Sequence, residues 1–444
     1  MTREPTGLAL VKECDDIELL LEGRYPDPDG GGCLGIPIRS IVLEDTFAGH
    51  EADLAREAGI SGTLAVVSDR NTHAAMGARV TRSLSALGRI TPVDLGDGVH
   101  ADAETAAAVE ERTRGCDALV AVGSGTINDL CKYVAARADK PYVVFATAPS
   151  MNGYTSANAA ITIDGHKKSV AAAAPAGVFI DLGVLAAAPP RLIRAGLGDS
   201  ICRTTAQVDW LLSHHLLGTP YRSAPFALLA ADEPALLEES AALVRGDLST
   251  MRRLARTLVL SGIGMTLSGG SYPASQGEHL ISHYIDMMAP PGRPDVFHGE
   301  QIAVTTLTMA RLQERFIQAD RPPLLGPTTV TREDVIAHFG PGTGDTCWRE
   351  FEQKILTPQS VDGFNARLAA SWDDFVHACE SIMVKSYELR AVLAAAGAPT
   401  DAASIALDCG FYTGAVRHAR ELRNRYTFLD LAADACPPDR RMRM

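Results

Sequence analysis

Between residues 63 and 146, four short β-rich runs alternate with helical patterns, and this alternation restricts the fold more than any other feature of the chain. Thr63 to Asp69 (TLAVVSD), Ile90 to Leu95 (ITPVDL), Ala118 to Val122 (ALVAV) and Tyr142 to Ala146 (YVVFA) read as strands. Helical periodicity occupies 72 to 88, about 102 to 114 and 126 to 137. Parallel strands need long crossovers, which helices supply, so the pattern predicts an α/β architecture of the nucleotide-binding type. A later segment, Ala159 to Val170, holds Asp164-Gly165 between two alternating runs, which is a hairpin signal.

After Pro189-Pro190 the strand signal fades. Amphipathic stretches around 199 to 217, 226 to 268, 275 to 288, 299 to 318, 364 to 394 and 411 to 432 predict helices, with Pro/Gly-rich loops at 289 to 294 and 321 to 345. The expected organisation is an α/β nucleotide-binding domain over residues 1–190 and an all-α metal- and substrate-binding domain over 191–444. Two domains suit a chain of 444 residues with 46% apolar residues. A cleft between such domains is a favoured place for an active site.

Composition excludes several classes of function. A net charge of −13 and the lack of a basic run argue against nucleic-acid binding, which needs clustered cations on one face. One local pocket can still take a small phosphate. Nine cysteines without any CxxC pair suggest neither a disulfide framework nor a cysteine zinc site, and fit the reduced thiols of the cytoplasm. The start, MTREPTGLALVKECDD, has no sustained apolar region, and Val170 to Leu185 is interrupted by Pro175 and Asp181. Neither a signal peptide nor a membrane span is expected.

The strand ALVAV runs straight into Gly123-Ser124-Gly125-Thr126, with a helix beginning near Ile127. Small residues there let backbone N–H groups approach a pyrophosphate at the positive end of the helix, although a βα turn also uses glycine for steric reasons alone. The loop is neither a Walker loop nor GxGxxG. Asp69, at the end of its strand, could accept hydrogen bonds from a ribose or cap the next helix. The segment Thr147 to Ser156 (TAPSMNGYTS) is dense in hydroxyl and amide groups that can bind a ligand or satisfy the loop itself.

His279 and His283 stand at i and i+4, on one helical face. His298 lies one loop further on, and Asp199 follows two glycines where a helix is expected to open. One Asp and two His would leave a metal with open positions, as catalysis requires. The alternative is a helix-surface histidine pair and an N-capping Asp.

Taken in order, GSGTINDLCKY, TAPSMNGYTS, GHKKS, AGLGDS, GEHLISH and HGEQIAV resemble the glycerol-1-phosphate dehydrogenase family, within the superfamily of iron-dependent alcohol dehydrogenases and dehydroquinate synthases. The ending, GAPTDAAS then ELRNRYTFLDLA, is similar to its bacterial members, and the resemblance spans about residues 40 to 432. It implies a dehydroquinate synthase-like fold with NAD or NADP and one divalent metal. Zinc is the first choice, with nickel or iron also suited to the ligands. Gly123, Ser124, Gly125, Thr126 and Ile127 would hold the pyrophosphate, with Asp129 behind. Thr147, Ala148, Pro149, Ser150 and Ser156 would line the nicotinamide side. Asp69, facing a ribose, would favour NAD.

The metal would sit on Asp199, His279 and His298, with Asp199 and His283 also facing the substrate. Lys168, within KKS, is suggested for a substrate phosphate. Asn152 stands where the family usually has Asp, a substrate contact, so the hydroxyl pattern of the substrate can differ. The expected reaction interconverts dihydroxyacetone phosphate and sn-glycerol 1-phosphate. Rivals are a dehydrogenase for another polyol, phosphopolyol or phosphonate aldehyde, a carbocycle-forming lyase of the dehydroquinate synthase type, and a non-catalytic nucleotide-binding protein. The resemblance also implies a homo-oligomer.

Overall fold

The structure, a computed structural model, describes residues 15–163, 166–290 and 292–436. Its strands are β1 (Ser40–Glu44), β2 (Leu64–Ser68), β3 (Ile90–Asp94), β4 (Ala118–Gly123), β5 (Tyr142–Ala146), β6 (Asn158–Ile163), β7 (His166–Ala171) and β8 (Gly177–Asp181), besides a two-residue pair at Tyr25–Pro26 and Cys33–Leu34. Six form one parallel sheet in the order β1-β8-β5-β4-β2-β3. Both faces are covered. Leu64, Val66, Val120 and Val122 pack on one side, while Ala65, Val67, Leu119 and Ala121 pack on the other. Each fully buried Val or Leu contributes roughly 2 kcal/mol, which explains why these strands read as nearly continuous apolar runs.

From β2 the chain steps outward to β3, then crosses back to β4 and continues through β5 to β8. The direction reverses between β2 and β4, and ligands of open α/β sheets bind outside the carboxyl ends of strands at such a switch point. Here those ends carry Ser68-Asp69 and Gly123-Ser124. β6 and β7 pair antiparallel from Asn158↔Ala171 to Ile163↔His166 as the expected hairpin, whose Asp164-Gly165 turn lies outside the described residues.

Six helices position the site: α1 (Gly125–Ala138), α2 (Pro190–Ser200), α3 (Arg203–Leu217), α4 (Leu248–Leu267), α5 (Gly277–Met288) and α6 (His298–Ile317). The region after residue 182 is helical, apart from an isolated bridge between Leu325 and Ala435. One apolar cluster runs from Val67 of β2 to Leu258 and Ile263 of α4, so the sheet and the later helices share a core.

Several expectations need correction. β1 and β8 are strands not anticipated from the sequence, although the fully buried run GVFID is typical of a central parallel strand. The stretch 226–268 is four helices, broken at 228–232, at Glu239 and at 244–247, where Gly246 has a φ of +78° and Asp247 caps the next helix. The predicted loop 321–345 contains Arg332–Phe339 and the start of Thr343–Phe351, because Thr331 and Asp334 make a reciprocal capping box. The stretch 364–394 stops at Glu380 and resumes at Ser386. There the Ser386 N–H and hydroxyl both donate to Glu314 of α6. The stretch 411–432 divides at Arg423. No helix among the described residues is long and apolar enough to cross a membrane.

Candidate active site

Glycines set the approach of α2 to its neighbours. A Cβ on Gly196 would lie 1.5 Å from the Pro149 carbonyl oxygen, one on Gly198 2.1 Å from the Gly299 oxygen, and one on Gly299 1.8 Å from the Ala195 oxygen. Only bare backbone allows α2 to touch both the loop after β5 and the first turn of α6. That contact puts Asp199, in the last turn of α2, beside His298, at the first turn of α6. Asp199 therefore ends a helix rather than opening one.

His279 in the first turn of α5 completes a triangle. His298 Nε2 lies 3.3 Å from His279 Nε2, and Asp199 Oδ1 lies 3.8 Å and 3.9 Å from those two nitrogens. A point in that plane is about 2 Å from all three atoms, the distance at which zinc and similar ions bind nitrogen and oxygen. Asp199 Oδ1 is buried and lacks a hydrogen-bond donor, while its Oδ2 accepts from the Asn152 N–H at 2.9 Å. A buried carboxylate oxygen without a donor is costly unless a cation completes it. His279 Nδ1 lies 2.9 Å from Glu278 Oε1, which fixes the ring so that Nε2 faces the triangle. Glu278 also accepts from the Gln276 N–H and the Thr205 hydroxyl. The residues present fit a divalent metal.

Burial raises the Asp199 carboxyl pKa, opposed by His279. Burial also holds His298 and His283 well below the ordinary imidazole value, with Lys167 and His279 acting on both rings and Arg423 on His283. Both rings are neutral at pH 7. The His283 ring stands 6.2 Å from that of His279, and its Nδ1 is buried without a partner. Cys202 Sγ also lies near Glu278 and His279. Burial raises its pKa well above the usual thiol value, and it donates to the Asp199 carbonyl at 3.0 Å.

The triangle opens into a cleft of about 700 Å³ that also contains Ser124, Gly125, Thr126, Asp129, Ser150, Asn152, Ser156 and His283. Ser124 precedes α1 without a side-chain cap, leaving the first N–H groups of the helix free for an anion. A Cβ on Gly123 would meet Ile127 Cβ at 2.5 Å, so this glycine sets the tight strand-to-helix turn. Gly123, Ile127, Thr147, Ala148 and Pro149 are buried behind the cleft wall. Asp69 caps the next helix in a reciprocal box with Thr72, at 2.8 and 3.0 Å, and does not line the cleft. Asn152 Nδ2 donates to Ser261 of α4 at 3.2 Å.

Sequence reasoning passed over two lysines. Lys132 on α1 is fully buried, and its Nζ donates to the Gly153 carbonyl, the Ser156 hydroxyl and the Asn158 carbonyl at 2.5 to 3.1 Å. It fixes the loop that carries Asn152. Burial lowers its pKa to about 8 and raises that of Asp129 to about 6, each opposed by the other's charge. On β7 successive side chains face opposite ways. Lys167 lines the cleft, bonding Asp286 at 3.0 Å, while Lys168 is exposed on the other face, paired in register with Ile161. The sequence signal was KKS, but only the strand register distinguishes the two.

The iron-containing alcohol dehydrogenase family matches residues 42–189. A glycerol-1-phosphate dehydrogenase [NAD(P)+] of Bacillus subtilis is 32% identical over 298 residues, covering 66% of this chain and 75% of that protein. The enzyme of the same name from Thermococcus kodakarensis is 31% identical over 277 residues, covering 62% and 77%. In fold, the chain is similar to a Red Sea brine pool alcohol dehydrogenase (TM-score 0.57, 17% identity, covering 91% and 95%). It is also similar to sulfoacetaldehyde reductase from Bifidobacterium kashiwanohense (TM-score 0.56, 15% identity, covering 90% and 96%).

Proposed function

We propose that this chain, which belongs to the glycerol-1-phosphate dehydrogenase family of iron-containing alcohol dehydrogenases, reduces dihydroxyacetone phosphate to sn-glycerol 1-phosphate with NAD(P)H, and catalyses the reverse reaction. The observation that carries this reading is the Asp199, His279 and His298 triangle opening into the same cleft as the first turn of α1. When bound, the metal supplies Lewis acidity to the carbonyl oxygen and the nicotinamide supplies hydride.

The protein's own residues do the rest. Asp199, His279 and His298 would hold the metal, with zinc first among zinc, nickel and iron. The free N–H groups at Ser124 to Ile127 bind the pyrophosphate, with Asp129 behind them, and Lys132 holds the Ser150 to Ser156 wall against which the nicotinamide lies. His283, neutral and inside the cleft, hydrogen-bonds the substrate or relays a proton from water to the developing alkoxide oxygen, taking one on one ring nitrogen as it gives one from the other. One ketone, one NAD(P)H and one proton thus give one alcohol and one NAD(P)+.

We take residues 1–190 as the cofactor-binding half and 191–444 as the metal- and substrate-binding half. The eight cysteines among the described residues are all free, which supports a reducing compartment, and we assign the enzyme to the cytoplasm. A homo-oligomer is proposed from family membership alone.

The test is metal-supplemented oxidation of NADH and NADPH with dihydroxyacetone phosphate, glyceraldehyde 3-phosphate, dihydroxyacetone and phosphonate aldehydes. Net oxidation with dihydroxyacetone phosphate is expected, and His298→Ala should lose bound metal and activity together. Activity confined to an unphosphorylated ketone removes the substrate assignment, and NAD recycled without net change points to a cyclising lyase. A second reading, another phosphopolyol as substrate, is favoured by Asn152, whose amide donates to Ser261 where the family pattern has a carboxylate.

A further inference from the structure

Three arginines lie close together near the end of the chain, and two of them have partners. Arg420 pairs with Asp434 at 2.9 Å. Arg425 donates to the Ser275 carbonyl and, at 2.8 Å, to the Ser271 hydroxyl, with its guanidinium 4.9 Å over the Tyr272 ring. Arg423, between them, makes no hydrogen bond or ion pair among the described residues, although it lines the metal cleft and is half-buried. Its charge reaches His283 and that of Glu350 reaches it, but Glu350 makes no ion pair with it. Arg293 lines the same cleft, and its Nη1 is buried with no partner. Lys167, the third cation there, is held by Asp286.

A guanidinium without a partner in a partly enclosed cleft is costly, and two in one cleft are explained by an anion that arrives with the ligand. Guanidinium forks match the oxygens of a phosphoryl group. The position also separates the two phosphates that could enter. The cofactor's pyrophosphate belongs at the first turn of α1, whereas Arg423 follows the segment 419–422 that packs against α5, the helix carrying His279 and His283.

We propose that Arg423 and Arg293, assisted by Lys167, form the subsite for the substrate's phosphoryl group, and that Arg423 distinguishes a phosphorylated ketone from its unphosphorylated counterpart. This assignment rests on the functional reading above and moves the phosphate from the exposed Lys168 to the inner wall of the cleft. The phosphoryl group bound there fixes which end of the three-carbon chain faces away from the metal.

The test compares wild type with Arg423→Gln and Arg293→Gln. With dihydroxyacetone phosphate, Arg423→Gln should lower kcat/KM about 30- to 100-fold, chiefly through KM, as expected for loss of a charge-assisted pair. Turnover of dihydroxyacetone, bound metal and the Kd values for NADH and NADPH should stay within about twofold of wild type. Inorganic phosphate should inhibit wild type competitively with dihydroxyacetone phosphate and raise its melting temperature, and both effects should vanish in Arg423→Gln. The ligand-free variant should melt at or above the wild-type temperature, because removing an unpaired, partly desolvated charge relieves a penalty.

Equal losses on both ketones would make Arg423 a general positioning residue, and a loss confined to NADPH would make it a cofactor contact. Either outcome overturns the proposal, as does unchanged phosphate inhibition. Wild type inactive on dihydroxyacetone phosphate would remove the functional reading instead, and inorganic phosphate binding would then decide whether the anion subsite stands without it.

Discussion

The two oxygens of Asp199 have different tasks. Oδ2 is held by the Asn152 N–H, and Oδ1 faces two imidazole nitrogens with no donor of its own. The three residues of the triangle were legible in the sequence because AGLGDS, GEHLISH and HGEQIAV each carry one of them. Glu278 was not singled out, although its contact with His279 Nδ1 turns the Nε2 of that ring toward the triangle. Glu278→Gln keeps the shape and removes the charge, so metal affinity should fall roughly 10- to 100-fold. Competition with a chelator of known affinity measures this, and an unchanged affinity would make Glu278 a packing residue only. Lys167, Lys132 and Arg423 were hidden for separate reasons. The first depends on strand register, the second on three acceptors from one loop, and the third on the absence of a partner, which no sequence displays.

Among the elements, the βα units announced themselves because burial on both faces demands uninterrupted apolar strands and local periodic helices. Helix breaks were less visible. Apolar periodicity runs on through Gly246 and through 381–385, and at the latter Glu314 of another helix captures Ser386. The contact of α2 with α6 makes a sharper prediction. Gly198→Ala sets a methyl against the Gly299 carbonyl, so the helices must separate. Overpacking of this kind costs about 1–3 kcal/mol. Urea unfolding should show that loss, and metal content should fall because Asp199 and His298 move apart. Normal stability with full metal occupancy would mean that the two helices adjust without cost.

For the molecule as a whole, two neutral, half-buried histidines link stability to pH. His283 and His298 have folded pKa values well below 6.5, so the folded state binds fewer protons than the unfolded chain below that pH. Their contribution to stability is complete above pH 6.5 and is lost as pH falls through the folded values. Chelator-treated protein should therefore lose stability progressively below about pH 6.5, with a shallower fall in His283→Gln. Melting curves across pH 5 to 8 check this, and parallel slopes would exclude the histidines as the cause. Added metal, binding only the folded chain, should stabilise it by RT ln(1 + [L]/Kd), about 2.7 kcal/mol at a hundred times Kd, and raise the melting temperature accordingly.

The sequence by itself determined the sheet's central strands, the glycine turn into α1 and the residue types that meet in the Asp199, His279 and His298 triangle, because strand burial, helix periodicity and side-chain chemistry are each local in the chain. Tertiary structure decided which of those groups meet. Asp199 reaches His298 only because Gly196, Gly198 and Gly299 let backbones touch. The choice of Lys167 over Lys168 follows from strand pairing. Arg423, more than 120 residues from His298 in the chain, enters the cleft because the segment after residue 418 packs against α5. Contacts between distant segments depend on how whole elements dock, and that information is spread over the core rather than written in any one motif.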